Sequence, residues 1–140
     1  MYKKNMNRKT LLSSLWIFVT FNYLYCDLIG LMDASLLRQY LTGKVERMEI
    51  NERFLLYAAI LMEIPISMVL LSRILPEKPN AWANIIAAFI KTVVMIITLF
   101  VGKPTEYYWF FACIEILTTV FIFVFAVKWL REFSSPLTAS

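Results

Sequence analysis

The chain has 140 residues, 60% hydrophobic, 16% aromatic and only 17% charged. Soluble domains run near half apolar and a quarter charged, so this balance excludes a disordered chain, a nucleic-acid-binding tail and an ordinary cytosolic enzyme. The net charge of +4, from 14 basic and 10 acidic residues, then reports loop charge and topology rather than an acidic partner.

About 20 apolar residues in a helix cross the ~30 Å hydrocarbon core of a bilayer. The first stretch that qualifies runs over residues 11–32, behind Lys3, Lys4, Arg8 and Lys9. It is too long for a signal peptide and has no small-x-small cleavage site in the right place, so it reads as an uncleaved span. Asp33 is placed to cap a short helix from Ala34 to Thr42, ended by Gly43. Leu36, Leu37, Tyr40 and Leu41 line one face of that helix, which suits the membrane surface or the mouth of a bundle. A plain solvated loop is the alternative. The second span covers residues 54–75 and contains Pro65. Pro76 and Pro79 separate it from a third span, 82–101, and Gly102 with Pro104 separates that from a fourth, 107–130. The expectation is an all-α membrane protein: one domain over 1–140, a four-transmembrane-helix bundle running up-down-up-down, with a short extramembrane helix between spans 1 and 2.

An even number of spans puts both termini on one side. Lys3, Lys4, Arg8, Lys9, Arg73, Lys78, Lys128 and Arg131 lie on that side, and Arg38, Lys44, Arg47, Arg53 and Lys103 on the other. Basic residues favour the inside, so both termini are expected in the cytoplasm and the chain in the inner, cytoplasmic membrane of the cell. Trp16, Trp82 and Trp129 would sit at the inner interface, and Tyr107, Tyr108 and Trp109 at the outer one.

Asp27, Glu63, Lys91 and Glu115 each fall inside a different span. A charge at the bilayer centre costs about 2.5–3.5 kcal/mol even on lenient insertion scales, so the four are expected to face one another or a wet cavity. At 1.5 Å per residue, Asp27 lies about 8 Å from the outer end of its span and the other three about 12–17 Å, so they can meet at one level. Helical spacing groups them with small and polar neighbours: Ser13, Trp16, Thr20, Tyr23, Asp27 and Gly30 on the first span; Ala59, Glu63 and Ser67 on the second; Asn84, Ala88, Lys91, Met95 and Thr98 on the third; Tyr108, Ala112, Glu115 and Thr119 on the fourth. Pro65 frees the carbonyl of Leu61, an extra polar group near Glu63. Lys91 is expected to pair with one or two of the acids. The candidate ligand-binding residues are Asp27, Glu63, Lys91, Glu115, Tyr23 and Asn84.

There is no His, and the two cysteines, Cys26 and Cys113, form no C-x-x-C. No Gly-rich phosphate loop and no G-x-S-x-G elbow is present. No catalytic residue, metal site or cofactor is therefore expected. Cys26 and Cys113 fall at similar depth on spans that a closed bundle makes neighbours, so a disulfide and two inert thiols are both open.

The run Tyr23-Leu24-Tyr25-Cys26-Asp27-Leu28-Ile29-Gly30-Leu31-Met32-Asp33, with Met62-Glu63-Ile64-Pro65 and Trp82-Ala83-Asn84-Ile85-Ile86, resembles a family of uncharacterised small four-span bacterial membrane proteins. The resemblance covers about residues 8 to 131 and implies the fold without an activity. Asp27, late in the first span, and Glu63 with Pro65 in the second are similar in position to features of EXPERA-domain proteins, the sterol isomerase and sigma-2 receptor group. That likeness implies an acid-lined pocket under a cover, taking an amphipathic or cationic molecule. Lys91 and Glu115 are additions to that pattern, and the isomerase His is absent.

Three functions fit these residues. The first is a binding or transport-like module for a lipophilic cation or other small molecule, with Asp27, Glu63 and Glu115 facing a cavity and Lys91 as counter-ion. The second is a lipid-modifying enzyme with Glu63 or Glu115 as proton donor, disfavoured by the missing His and nucleophile. The third is an accessory subunit whose buried charges only fix helix register. The partners expected are the lipid bilayer, an amphipathic or cationic small molecule and a second copy in a homo-oligomer, with no nucleic acid.

Overall fold

The structure, a computed structural model, describes residues 7–135. Lys3 and Lys4 of the basic N-terminus lie outside the described residues. Helix α1 spans Arg8–Met32, α2 Ala34–Leu41, α3 Glu52–Ile74, α4 Glu77–Leu99 and α5 Glu106–Ser134, with strands β1 (Lys44–Val45) and β2 (Met48–Glu49) between α2 and α3. All but α2 are long and apolar enough to cross a membrane.

Local chemistry sets the ends. The Asn7, Asp33, Asn51 and Thr105 side chains each accept a backbone N–H from the first turn of the helix they precede. Glu52, Glu77 and Glu106 add acidic side chains to first turns, where the helix dipole favours them. Gly43, at φ +74°, takes the left-handed conformation that ends α2. Helix α4 begins five residues before the span expected from residue 82. Pro79 sits in its first turn, where the missing N–H has no intrahelical partner to lose, so it does not separate the helices.

Helix α1 packs against α3 and α5, and α4 packs against the same two, closing a ring with α1 and α4 on one diagonal. One end, the terminal end, carries the start of α1, the end of α5 and the α3–α4 turn. The other, the loop end, carries α2, the hairpin and the α4–α5 turn. Trp16 and Trp129, expected toward the inner interface, are buried within the bundle at 0% and 3% exposure, and both belong to the core. Arg8 reaches the Glu132 carboxylate and lies over the Trp129 ring, tying α1 to α5 at the terminal end.

After α2 the chain forms a two-stranded antiparallel hairpin, pairing Lys44 with Glu49 and Val45 with Met48. Two-residue strands carry no alternation to read, and the Glu46–Arg47 turn has neither Gly nor Asn, the usual hairpin signal. Glu46 itself stands at φ +52°. Its N–H donates to Gln39 Oε1 (3.1 Å) and its carboxylate accepts the Lys103 N–H (3.2 Å). Gly102, at φ +81°, leaves room for that carboxylate, which any side chain at 102 would strike. Tyr107 donates to Asp33 Oδ2 at 3.3 Å. These contacts hold α2 and the hairpin across the loop end as a lid.

A charged cavity above a neutral knot

Beneath the lid lies a vestibule of about 270 Å³, lined by Asp27, Leu36, Tyr40, Glu46, Thr98, Lys103, Tyr107 and Tyr108 among others. A second cavity, about 140 Å³, lies deeper and is lined by Tyr23, Leu61, Met62, Lys91, Met95 and Glu115. Cys26, Asp27, Thr98 and Tyr108 line both, so the two compartments meet at these four residues.

The deep cavity is the charged part of the bundle. Lys91 is 3% exposed and Glu115 1% exposed. The Lys91 ammonium sits 4.1 Å from the centre of the Tyr23 ring and 3.9 Å from Met62 Sδ. Contact of a desolvated ammonium with an aromatic face stabilises by up to about 2 kcal/mol. Lys91 is within ion-pair distance of no carboxylate; among the described residues the ion pairs are Arg8–Glu132 and Lys44–Glu49. The expected pairing of Lys91 with an acid is thus replaced by a ring and a thioether. Glu115 Oε1 and the Tyr23 hydroxyl are both buried and, among the described residues, have no hydrogen-bond partner. An unsatisfied buried polar group costs about 1–3 kcal/mol. At the junction, Tyr108 donates to Thr98 Oγ1 (2.9 Å), which donates to the Met95 carbonyl (2.8 Å). Leu61, whose carbonyl Pro65 frees, is part of the deep cavity wall. Burial lifts the Tyr40 phenol in α2 above its ordinary range, with the Asp27 carboxylate adding to the effect.

The chain matches the model of a family described as Family of unknown function (DUF6326) over residues 1–135. The chain belongs to DUF6326. No curated protein and no solved structure matches it.

In this DUF6326 chain the six candidate residues divide into three groups. Asp27, Tyr23, Lys91 and Glu115 meet at the cavities. Asp27 is nevertheless exposed, because the buried stripe of α1 runs through Val19, Tyr23 and Cys26, one position away. Glu63 joins neither cavity. It lies on the exposed face of α3, with its carboxylate accepting the Ser67 hydroxyl at 3.2 Å, while Pro65, Met68 and Ser72 face the bundle.

Asn84 also leaves the site, and it explains that rotation of α3. Trp16 Nε1 donates to Asn84 Oδ1 (2.7 Å), as does the Ser72 hydroxyl (3.3 Å). Asn84 Nδ2 donates to the Asn80 carbonyl (2.9 Å) and to Asn80 Oδ1 (2.8 Å), and Asn80 Nδ2 donates to the Ser72 carbonyl (2.7 Å). This neutral knot links α1, α3 and α4. Because it requires Ser72 inward, it turns Glu63 outward. Val19 and Ala88, both fully buried, form a layer between the knot and the charged cavity, which lie about two helical turns apart.

Cys26 is buried, Cys113 is exposed, and both are free thiols. Among the described residues no group of three or more His, Cys, Asp or Glu could hold a metal ion. Reading the sequence for ionisable groups overlooked Met62 and the lid contacts of Glu46. A thioether gives no charge signal, and the reach of Glu46 to Lys103 depends on how the lid folds over the α4–α5 turn.

Proposed function

We propose that the chain is an integral protein of the cytoplasmic membrane, a four-span bundle with both termini on the cytoplasmic side, and that its loop-end cavities bind a small amphipathic monocation. The wide apolar exposure of its long helices and the excess of basic residues at the terminal end support the placement. The observation that carries the binding reading is the buried Glu115 Oε1, without a partner in a cavity that meets a vestibule. Asp27 and Glu115 against Lys91 leave one net negative charge when all are ionised, which suits a single positive headgroup. The rings of Tyr23, Tyr108, Tyr107 and Tyr40 line the way in, and aromatic faces attract alkylammonium groups. The two volumes together fall in the lower part of the roughly 300–1,000 Å³ range of small-molecule pockets.

The buried-scaffold role anticipated for the charged residues belongs better to the neutral knot, whose side chains satisfy one another.

Binding of dodecyltrimethylammonium to the purified protein in nanodiscs tests the proposal. Glu115→Gln keeps the shape and removes the charge, and it is expected to weaken binding at least about tenfold, or ~1.4 kcal/mol. Glu63→Gln, outside the cavities, is expected to leave Kd within about twofold, a change under ~0.4 kcal/mol. Equal affinity of the wild type and Glu115→Gln would contradict the assignment.

A further inference from the structure

Helix α3 presents a face the bundle does not use. It buries only Pro65, Met68 and Ser72. On the far side, Leu56, Ile60, Leu70 and Ile74 are 57%, 57%, 61% and 61% exposed. Glu63 is exposed with them, and Ser67 is half-buried. The six residues follow one another at intervals of 4, 3, 4, 3 and 4. This is the a/d spacing of a helix–helix seam, here with its two polar members adjacent at the centre. At about 100° per residue all six fall within roughly 80° of arc, on the side away from Pro65 and Ser72.

We propose that this seam pairs with the same seam of a second copy, giving a two-fold symmetric dimer through parallel α3 helices. Glu63 lies midway along an apolar helix, where exposure to acyl chains is unfavourable and a polar partner at the same depth is needed. A partner of unrelated sequence would have to place a donor at that depth by chance. A second copy inserted in the same orientation brings its own Ser67 hydroxyl, one helical turn from that depth, by symmetry. The Ser67 hydroxyl already reaches Glu63 Oε1 within one chain at 3.2 Å, so donors and acceptors can alternate across the axis. A polar pair at the centre of an apolar seam also fixes register, since sliding by one heptad would oppose Glu63 to Leu56 or Leu70. The proposal needs only that the long helices cross a bilayer and is independent of what the cavity binds.

Disulfide cross-linking in native membranes tests it, using full-length protein carrying Cys26→Ser and Cys113→Ser. Ile60→Cys and Leu70→Cys lie on the seam. Leu55→Cys and Tyr57→Cys are equally exposed positions off it. The expected result is a dimer-sized product at 60 and 70, at several times the yield at 55 and 57. In the Ile60→Cys chain, Glu63→Leu is expected to lower that yield several-fold. Equal yields at all four positions, no product at the seam, or a product of another mass would overturn the proposal. So would a monomeric mass for the purified wild type in nanodiscs, which would leave lipid as the only cover of the seam. Because no cation enters the experiment, its failure leaves the binding assignment untouched, and failure of cation binding leaves the dimer untouched.

Discussion

Asn84→Ala is expected to be the most destabilising single replacement in the bundle, lowering unfolding free energy by about 2–4 kcal/mol. It strands the Trp16 indole N–H, the Ser72 hydroxyl and Asn80 Oδ1 in a fully buried layer. An average interhelical hydrogen bond in a membrane contributes only about 0.6 kcal/mol, because the unfolded chain finds other partners in the bilayer. The larger value is expected here because three groups on three helices lose their partner together. Detergent titration of the folded protein, followed by Trp fluorescence, measures the loss. Thr20→Val serves as the comparison. The Thr20 hydroxyl bonds only to the Trp16 carbonyl of its own helix, so a change within about 0.5 kcal/mol is expected. A loss below 1 kcal/mol for Asn84→Ala would mean that something other than the knot sets the rotation of α3.

Lys91→Met is expected to act in the opposite sense to Glu115→Gln on the same ligand. With the ammonium gone, a bound monocation no longer meets a like charge in the deep cavity. Two unit charges about 7 Å apart at an effective dielectric near 20 repel by about 2 kcal/mol, so binding of dodecyltrimethylammonium is expected to tighten by about tenfold or more. Met keeps the length of the side chain and can stay against the Tyr23 ring. An isotherm on the folded variant measures this. Weaker binding would contradict a cation site beside Lys91.

The sequence shows much of the architecture and less of the site, for reasons visible in single residues. Length, hydropathy and the Pro76 and Gly102 breaks locate the long helices, and Asp33 with Gly43 locates the lid helix. The inward stripes of α4 and α5, through Lys91 and through Glu115, are also legible, because those helices bury small and polar residues at regular spacing. Helix α3 defeats the same reading. Penalty arguments say that Glu63 needs a polar partner but not whether it lies inside the bundle or outside it. In a lipid-facing helix both sides are apolar, so patterning does not choose between them. The choice comes from Ser72, nine residues on, through a knot spanning three helices. Asn84 lies outside the two cavities, and the sequence does not show this for a related reason. It shares a helix face with Lys91, two turns away, and the sequence cannot show that one joins a closed neutral network and the other a cavity. The offset of Asp27 from the buried stripe of α1 is a rotation of one residue, finer than helical spacing resolves.

Cys26 allows the most direct test of the central claim, since it lines both cavities and is only 8% exposed. In a Cys113→Ser background, the rates at which trimethylammonium-bearing and sulfonate-bearing methanethiosulfonates modify Cys26 can be compared, each normalised to free cysteine. A negatively charged route under the lid predicts a cationic preference of about tenfold or more, equivalent to ~1.4 kcal/mol. It also predicts that this preference falls toward one in Asp27→Asn with Glu115→Gln, and that dodecyltrimethylammonium protects the thiol. No modification by either reagent, equal normalised rates, or no protection would contradict a cation site in these cavities.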